Sequence, residues 1–168
     1  MHSKLHHIDL KGYYQFITFR TKDSIDEYVK KVQMQNNISV KNREYEIDKY
    51  LDNLEKGSYF FGRCIDIMKE ILLEKDGIFY DVEVFVIMPN HIHILLKQKV
   101  DLATIMKFIK GKSAVLLNRE LKRVGKFWVE GYFDRVVRDE KHFENVYDYI
   151  LGNPRNLLDK DDRVYSRY

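Results

Sequence analysis

Two imidazoles two residues apart, in Pro89-Asn90-His91-Ile92-His93-Ile94, are the side chains of this sequence best disposed for chemistry. In a strand, successive side chains alternate between faces, so His91 and His93 project side by side while Ile92, Ile94 and Leu96 face the other way. Such a pair is a two-ligand platform for a metal ion with an apolar back; two solvated histidines on an exposed sheet face are the alternative. A reactive group and a third ligand lie nearer the C-terminus. Phe143, Val146, Tyr147, Ile150 and Leu151 follow the spacing of an amphipathic helix, with Asp139 as N-cap and Gly152 and Pro154 as stop signals. Tyr147 then belongs to the core. Tyr149 falls outside the apolar stripe, and Asn153, four residues on, lies only about 40° from it. One flank therefore carries a phenol and an amide together; a half-exposed tyrosine and a helix-ending asparagine are the plainer reading.

The elements that must position these groups are legible in outline. A strand is expected over residues 13–20, then a polar region over about 22–56 with helical fragments at Ile47, Tyr50, Leu51 and Leu54. A helix follows over 61–73, a turn at Asp76-Gly77, paired strands over 82–88 and 91–97, a basic helix, an extended segment over 128–137, and the tyrosine helix. This βαββαβα order predicts an α+β fold: a ferredoxin-like antiparallel sheet with helices packed on one face and a C-terminal helix carrying the tyrosine. At 168 residues and 45% apolar content, with no internal repeat or low-complexity tract, the chain reads as one domain over 1–168.

Several motifs in order carry a family likeness. They are Tyr14-Gln15-Phe16-Ile17-Thr18-Phe19-Arg20, Val86-Ile87-Met88-Pro89-Asn90-His91-Ile92-His93, Trp128, Tyr132-Phe133-Asp134-Arg135, Arg138-Asp139-Glu140, and Tyr149-Ile150 with Asn153-Pro154. With these the chain resembles the single-tyrosine HUH transposases, and within them the REP-associated tyrosine transposases. The resemblance implies that His91 and His93 bind a divalent cation, that Tyr149 is the nucleophile, and that Asn153, one turn beyond, completes the metal site. Asparagine stands where other branches carry glutamine, one methylene longer. The resemblance also implies a ferredoxin-like fold, single-stranded and hairpin-bearing DNA as partner, action as a monomer or a homodimer, and a helical insertion at about 22–56 relative to the shortest members.

The chemistry explains such an assembly. Attack of a side-chain hydroxyl on a DNA phosphodiester needs an in-line nucleophile and a cation to neutralise the phosphoryl oxygens. A phenol titrating near ~10 leaves more readily than an alkoxide, so a 5′-phosphotyrosine can be attacked again by a 3′-hydroxyl and rejoining needs no ATP. Imidazole and amide ligands leave positions open for water and phosphate, which suits Mg²⁺ or Mn²⁺. No general base is evident; His142, about two turns before Tyr149, reads as a surface residue.

The formal net charge is only +3, but from Lys97 to Lys126 nine Lys or Arg stand against Asp101 and Glu120. Leu102, Ile105, Met106, Ile109, Leu116, Leu117 and Leu121 give this stretch a helical period, with Lys107 and Lys110 on its solvated side. Lys107, Lys110, Lys112 and Arg119 are therefore candidates for tracking phosphates, and a solvated lysine-rich face is the alternative. Arg135 and Arg138, among Trp128, Tyr132 and Phe133, are candidates for single-strand contacts, with Trp128 and Phe133 themselves read as structural. The single cysteine, Cys64, sits on an apolar helix face and forms no internal disulfide. Residues 1–7 lack the apolar stretch of a signal peptide, and no apolar run approaches the ~20 residues that span a bilayer, so a cytoplasmic protein is expected. The function expected is a metal-dependent single-stranded DNA endonuclease and strand transferase. Two other classes remain open: a domesticated, non-catalytic single-stranded nucleic-acid-binding protein, and a metal-dependent hydrolase of small phosphate esters.

Overall fold

The computed structural model describes residues 12–168, and the segment read above for the absence of a leader lies outside the described residues. Five strands form one antiparallel sheet: β1 (Tyr14–Arg20), β2 (Tyr80–Ile87), β3 (His91–Gln98), β4 (Phe133–Val137) and β5 (Val164–Ser166), in the order β4-β1-β3-β2-β5. The α-helices among the described residues are α1 (Glu27–Gln33), α2 (Val40–Leu51), α3 (Arg63–Glu74), α4 (Leu102–Glu120) and α5 (Glu140–Gly152). No helix among the described residues is long and apolar enough to cross a membrane.

Alternation along β3 divides the molecule. Ile92, Ile94 and Leu96 pack with Ile17 and Phe19 of β1 against the apolar stripes of α3 and α4, each buried aliphatic side chain contributing about 2 kcal/mol. Leu95 faces the other side, where it meets Val84, Val86 and Val137 under Val146 and Ile150 of α5. A bulge between Val82 and Val84 of β2 resets the alternation so that both faces match β3. The expectation of helices on one face is thus corrected: α3 and α4 cover one face and α5 the other. The physical reason is that β2 is apolar on both sides and Leu95 of β3 and Val137 of β4 extend its second apolar face, which needs a cover of its own. β5, three residues hydrogen-bonded to β2, was too short to give a sequence signal.

The region at 22–56 folds into α1 and α2 around their own small core of Val29, Val32, Ile47 and Leu51. Ser39 caps α2, its side chain accepting from the Asn42 amide at 3.2 Å. Gly57 ends the region in a left-handed conformation at φ 76°, where a Cβ would lie 2.4 Å from the Ser24 nitrogen. Its carbonyl accepts from the Thr21 hydroxyl at 2.8 Å, which ties the region to the residue just after β1.

Candidate active site

His91 and His93 are both 0% exposed, which removes the reading of a solvated pair. The Asn90 amide nitrogen donates to the carbonyls of Leu51 at 2.9 Å and Leu54 at 3.2 Å, satisfying acceptors at the C-terminal end of α2. That orientation turns Asn90 Oδ1 toward His91 Nδ1, 2.7 Å away. A carbonyl oxygen only accepts, so Nδ1 carries the proton and Nε2 presents its lone pair. His93 Nδ1 is hydrogen-bonded to Thr18 Oγ1 at 2.7 Å, the residue opposite it in the β1–β3 register and a hydroxyl able to accept from a protonated Nδ1. Both Nε2 atoms are buried without a hydrogen-bond partner.

What faces them is a carboxylate from α2. Asp48 Oδ2 lies 3.6 Å from His93 Nε2, and the ligand atoms of Asp48, His91 and His93 fall within 4.8 Å of one another. Ligands about 2.0–2.2 Å from a common ion are separated by spans of this size, so the three residues fit one divalent cation. Two orphaned lone pairs and an anion, with the far nitrogens fixed by hydrogen bonds, are the donor set such an ion requires. The structure identifies no particular metal. Asp48 is held from behind: Arg20, at the end of β1, donates to Asp48 Oδ1 at 3.0 Å and to Glu44 Oε2 at 2.5 Å.

The electrostatics follow from burial. Desolvation, with the neighbouring His93 and Arg20, pushes the His91 imidazole down to about 3, and burial lowers His93 as well. Both rings are neutral at pH 7, the form that binds metal. Burial alone would raise Asp48, but His93, Arg20 and His91 outweigh it and hold its carboxyl below the ordinary range. Asp52, one turn further along α2, has an oxygen 4.0 Å from His91 Nε2, and burial plus the Asp48 charge raise it to about 7.

Tyr149 reaches this group within the same chain. Its hydroxyl donates to Asp48 Oδ2 at 3.0 Å, and its ring centroid is 5.4 Å from that of His93. Phe16 lies against both rings, stacked on His93 and edge-on to Tyr149. Burial and the Asp48 charge raise the phenol, while the Asn153 side chain draws it down. The helix that delivers the ring is set by Asp139, whose side chain accepts from the His142 amide at 2.7 Å, and by Val146 and Ile150 packed on the sheet. Tyr147 points elsewhere, hydrogen-bonded to Ser166. Asn153 is the C-cap, and its amide nitrogen donates to the Tyr149 carbonyl at 3.1 Å.

The structure therefore brings His91, His93 and Tyr149 together and adds Asp48, which the sequence reading passed over. Its signal was there: an acid between Ile47 and Leu51, on the apolar flank of an amphipathic helix, has to be paired. Arg20, a cation closing a strand that carries no other charge, is its counterpart. The basic helix is not brought near. α4 packs on the opposite face of the sheet, with Lys107 and Arg119 exposed there. Lys110, lowered to about 8 by burial, donates to the carbonyls of Val129 at 2.8 Å and Gly131 at 2.6 Å. Lys112 pairs with Glu74. Arg135 and Arg138 lie on the histidine side, at a cleft beside the start of α5. Trp128 and Phe133 are buried, Trp128 donating to Ser113 Oγ at 2.9 Å.

Comparison with known proteins meets this geometry. A protein of Haemophilus influenzae Rd, of no assigned function, is 26% identical over 107 residues, covering 50% of this chain; the chain spans 58% of the length of this curated relative. Two solved structures overlap the fold: a REP-associated tyrosine transposase bound to a REP hairpin (TM-score 0.49, 14% identity, 92% of this chain and 73% of that one) and a Deinococcus radiodurans R1 protein assigned as a transposase (TM-score 0.41, 17% identity, 91% and 97%). The model of the family described as "Transposase IS200 like" matches residues 49–153, which take in His91, His93, Tyr149 and Asn153 and begin one residue after Asp48. The chain belongs to the IS200-like transposase family.

Proposed function

We propose that this protein is a metal-dependent endonuclease and strand transferase of single-stranded DNA, working through a 5′-phosphotyrosine on Tyr149, and that its substrates carry a hairpin, as in the REP-associated branch. The observation that carries the reading is the Tyr149 hydroxyl 3.0 Å from Asp48 Oδ2, beside two buried imidazole nitrogens without partners. His91, His93 and Asp48 hold the cation, Mg²⁺ or Mn²⁺, and Asn153 is a further ligand from one turn beyond Tyr149. A bound divalent cation supplies charge neutralisation at the phosphoryl oxygens. Tyr149 Oη attacks phosphorus in line with the 3′-oxygen of the preceding nucleotide; the Oη–P bond forms as the P–O3′ bond breaks, the phenolic proton passes to Asp48, and the 3′-oxygen takes a proton from water to leave as a hydroxyl. The phenolic proton starts on a hydrogen bond to Asp48, which is the acceptor in place. Arg20 keeps Asp48 turned so that one oxygen faces the guanidinium and the other the phenol and His93. Attack of a 3′-hydroxyl on the phosphotyrosine reverses the step and joins strands, with the phenol as leaving group.

The test is covalent capture. With labelled single strands and Mn²⁺, the wild-type chain is expected to give an adduct that Tyr149→Phe abolishes and Tyr147→Phe, folded, retains. An undiminished adduct in the Tyr149→Phe protein would overturn the assignment.

A further inference from the structure

A cleft on the histidine side of the sheet is left unused by the proposed ligands. A cleft of 510 Å³ opens between α2, the edge strand β4 and the first turns of α5; Lys41, Arg135, Arg138, Lys141, His142 and Asn145 line it, with the carboxylates of Asp134 and Asp139. Lys41, Arg135, Arg138 and Lys141 form no ion pair among the described residues, in contrast to Lys112 on α4. Burial lowers the His142 imidazole, and Arg135, Lys41 and Arg138 lower it further against the opposing charge of Asp139. Asp139 is committed in part to capping α5. Four cations gathered without salt-bridge partners are electrostatically costly unless an anion joins them.

The two helices that line the cleft also carry residues of the metal group. On α5, Asn145 lies one turn before Tyr149, and His142 lies seven residues before it, about 20° away around the helix. On α2, Lys41 lies seven residues before Asp48, on the same face and about 10 Å along the axis. Tyr45 lies between them along the helix and is 57% exposed, an aromatic ring facing water. Arg135 is paired in register with Phe16, whose ring rests on His93, so its strand position is on the histidine side of the sheet. Cations followed by an aromatic platform and then by the reactive group is the order a single strand needs: phosphates held, a base stacked, the next phosphodiester presented.

We infer that the groove between α2 and α5 holds the single-stranded DNA flanking the scissile phosphate, with Lys41, Arg135, Arg138 and Lys141 on its phosphates and Tyr45 stacked on an unpaired base. The inserted α1–α2 region is then a substrate clamp as well as the source of Asp48. This rests on the strand-transfer reading above and gives it a substrate path. α4, the helix with the largest net positive charge, is outside that path.

The experiment measures binding apart from chemistry. In the Tyr149→Phe protein, the affinity for a fluorescein-labelled deoxythymidine homopolymer is followed by anisotropy across a salt series. Lys41→Glu with Arg138→Glu is expected to weaken binding at least about tenfold and to flatten the log–log salt dependence by about 0.7 for each phosphate no longer neutralised. Tyr45→Ala is expected to weaken it about five- to a hundredfold, with Tyr45→Trp restoring it. Lys107→Glu with Arg119→Glu on α4 is expected to change it less than twofold, all variants keeping their thermal midpoint. Undiminished binding by the cleft variants, or a larger loss from the α4 pair, overturns the inference; if the wild-type chain still forms the Tyr149 adduct, the strand-transfer reading stands without it. No binding and no adduct from the wild-type chain overturns both.

Discussion

β3 presents a dry face and a polar one, separated only by the pleat of a single strand. On the dry side, Ile92, Ile94 and Leu96 are held by area against α3 and α4, an attraction with no direction that any side chain of similar volume could supply. On the polar side, His91 and His93 are equally buried, but each is held by one bond in one direction, to Asn90 and to Thr18, and both face Asp48 in a group that could hold a metal ion. Stability is therefore expected to live mainly on the first face and metal affinity on the second. Substitutions that ought to separate the two quantities can break that division.

The largest effect belongs to the dry face. Ile94→Ala removes a fully buried side chain from the centre of the sheet and is expected to cost about 2–5 kcal/mol of unfolding free energy in urea. The folded fraction should keep its Mn²⁺ affinity within about twofold, because none of the bonds that orient the imidazoles passes through Ile94. A tenfold loss of affinity measured by calorimetry would mean that the two faces are coupled through the backbone.

Asp48→Asn is the converse. It keeps the shape but removes the only formal anion of the three-residue group, so Mn²⁺ affinity should fall about a hundredfold, an effect of about 2.7 kcal/mol. Glu44 remains to pair with Arg20, which limits the loss of stability. An unchanged affinity would remove Asp48 from the metal site and leave the carboxylate a structural partner of Arg20.

Acid distinguishes the faces in a third way. In the metal-free protein the His91 imidazole, lowered to about 3 by burial and by His93, takes up its proton in the unfolded chain near 6.5 and in the folded chain only near 3. The unfolded state then binds more protons between those values. The His91 contribution is fully present above pH 6.5 and is lost as the pH falls toward 3, by at most about 1.4 kcal/mol per pH unit for one proton. Asp48, lowered by its cationic neighbours, adds its own loss only below 3.8. Urea titrations in chelator should show this slope in the wild type, the same slope from a lower start in Ile94→Ala, and a flatter one in His91→Gln. An equal slope in His91→Gln would mean that another group controls the acid limb.

The same division explains what the sequence made legible. Period and alternation are local, so the dry faces of β3, α3 and α5, the pairing of the imidazoles and the position of Tyr149 off the apolar stripe could all be read from residue spacing. Asp48 could not. It lies more than forty residues from His91, in a region with no expected role, and its approach depends on α2 folding over the sheet, which Gly57, Thr21 and Asn90 together enforce. The side on which α4 lies was illegible for a related reason: the density of cations along it is a property of sequence, but which face of the sheet a helix covers is decided by its apolar stripe. Lys110 shows the consequence, its ammonium bound to two carbonyls of the loop before β4.

The smallest effect tests whether the polar face really depends on direction. Thr18→Val is nearly isosteric and leaves every proposed ligand in place, removing only the hydroxyl 2.7 Å from His93 Nδ1. If that hydrogen bond selects the tautomer whose Nε2 lone pair faces Asp48, its loss leaves a buried Nδ1 without a partner and lets the ring populate the wrong tautomer. Mn²⁺ affinity should then drop about tenfold, the lower end of what outer-shell partners contribute, with unfolding free energy changed by about 1 kcal/mol. Thr18→Ser, which keeps the hydroxyl, should restore the affinity. If Thr18→Val binds Mn²⁺ as tightly as wild type, the imidazole is positioned by packing against Phe16 alone, and the polar face obeys the same undirected rule as the dry one.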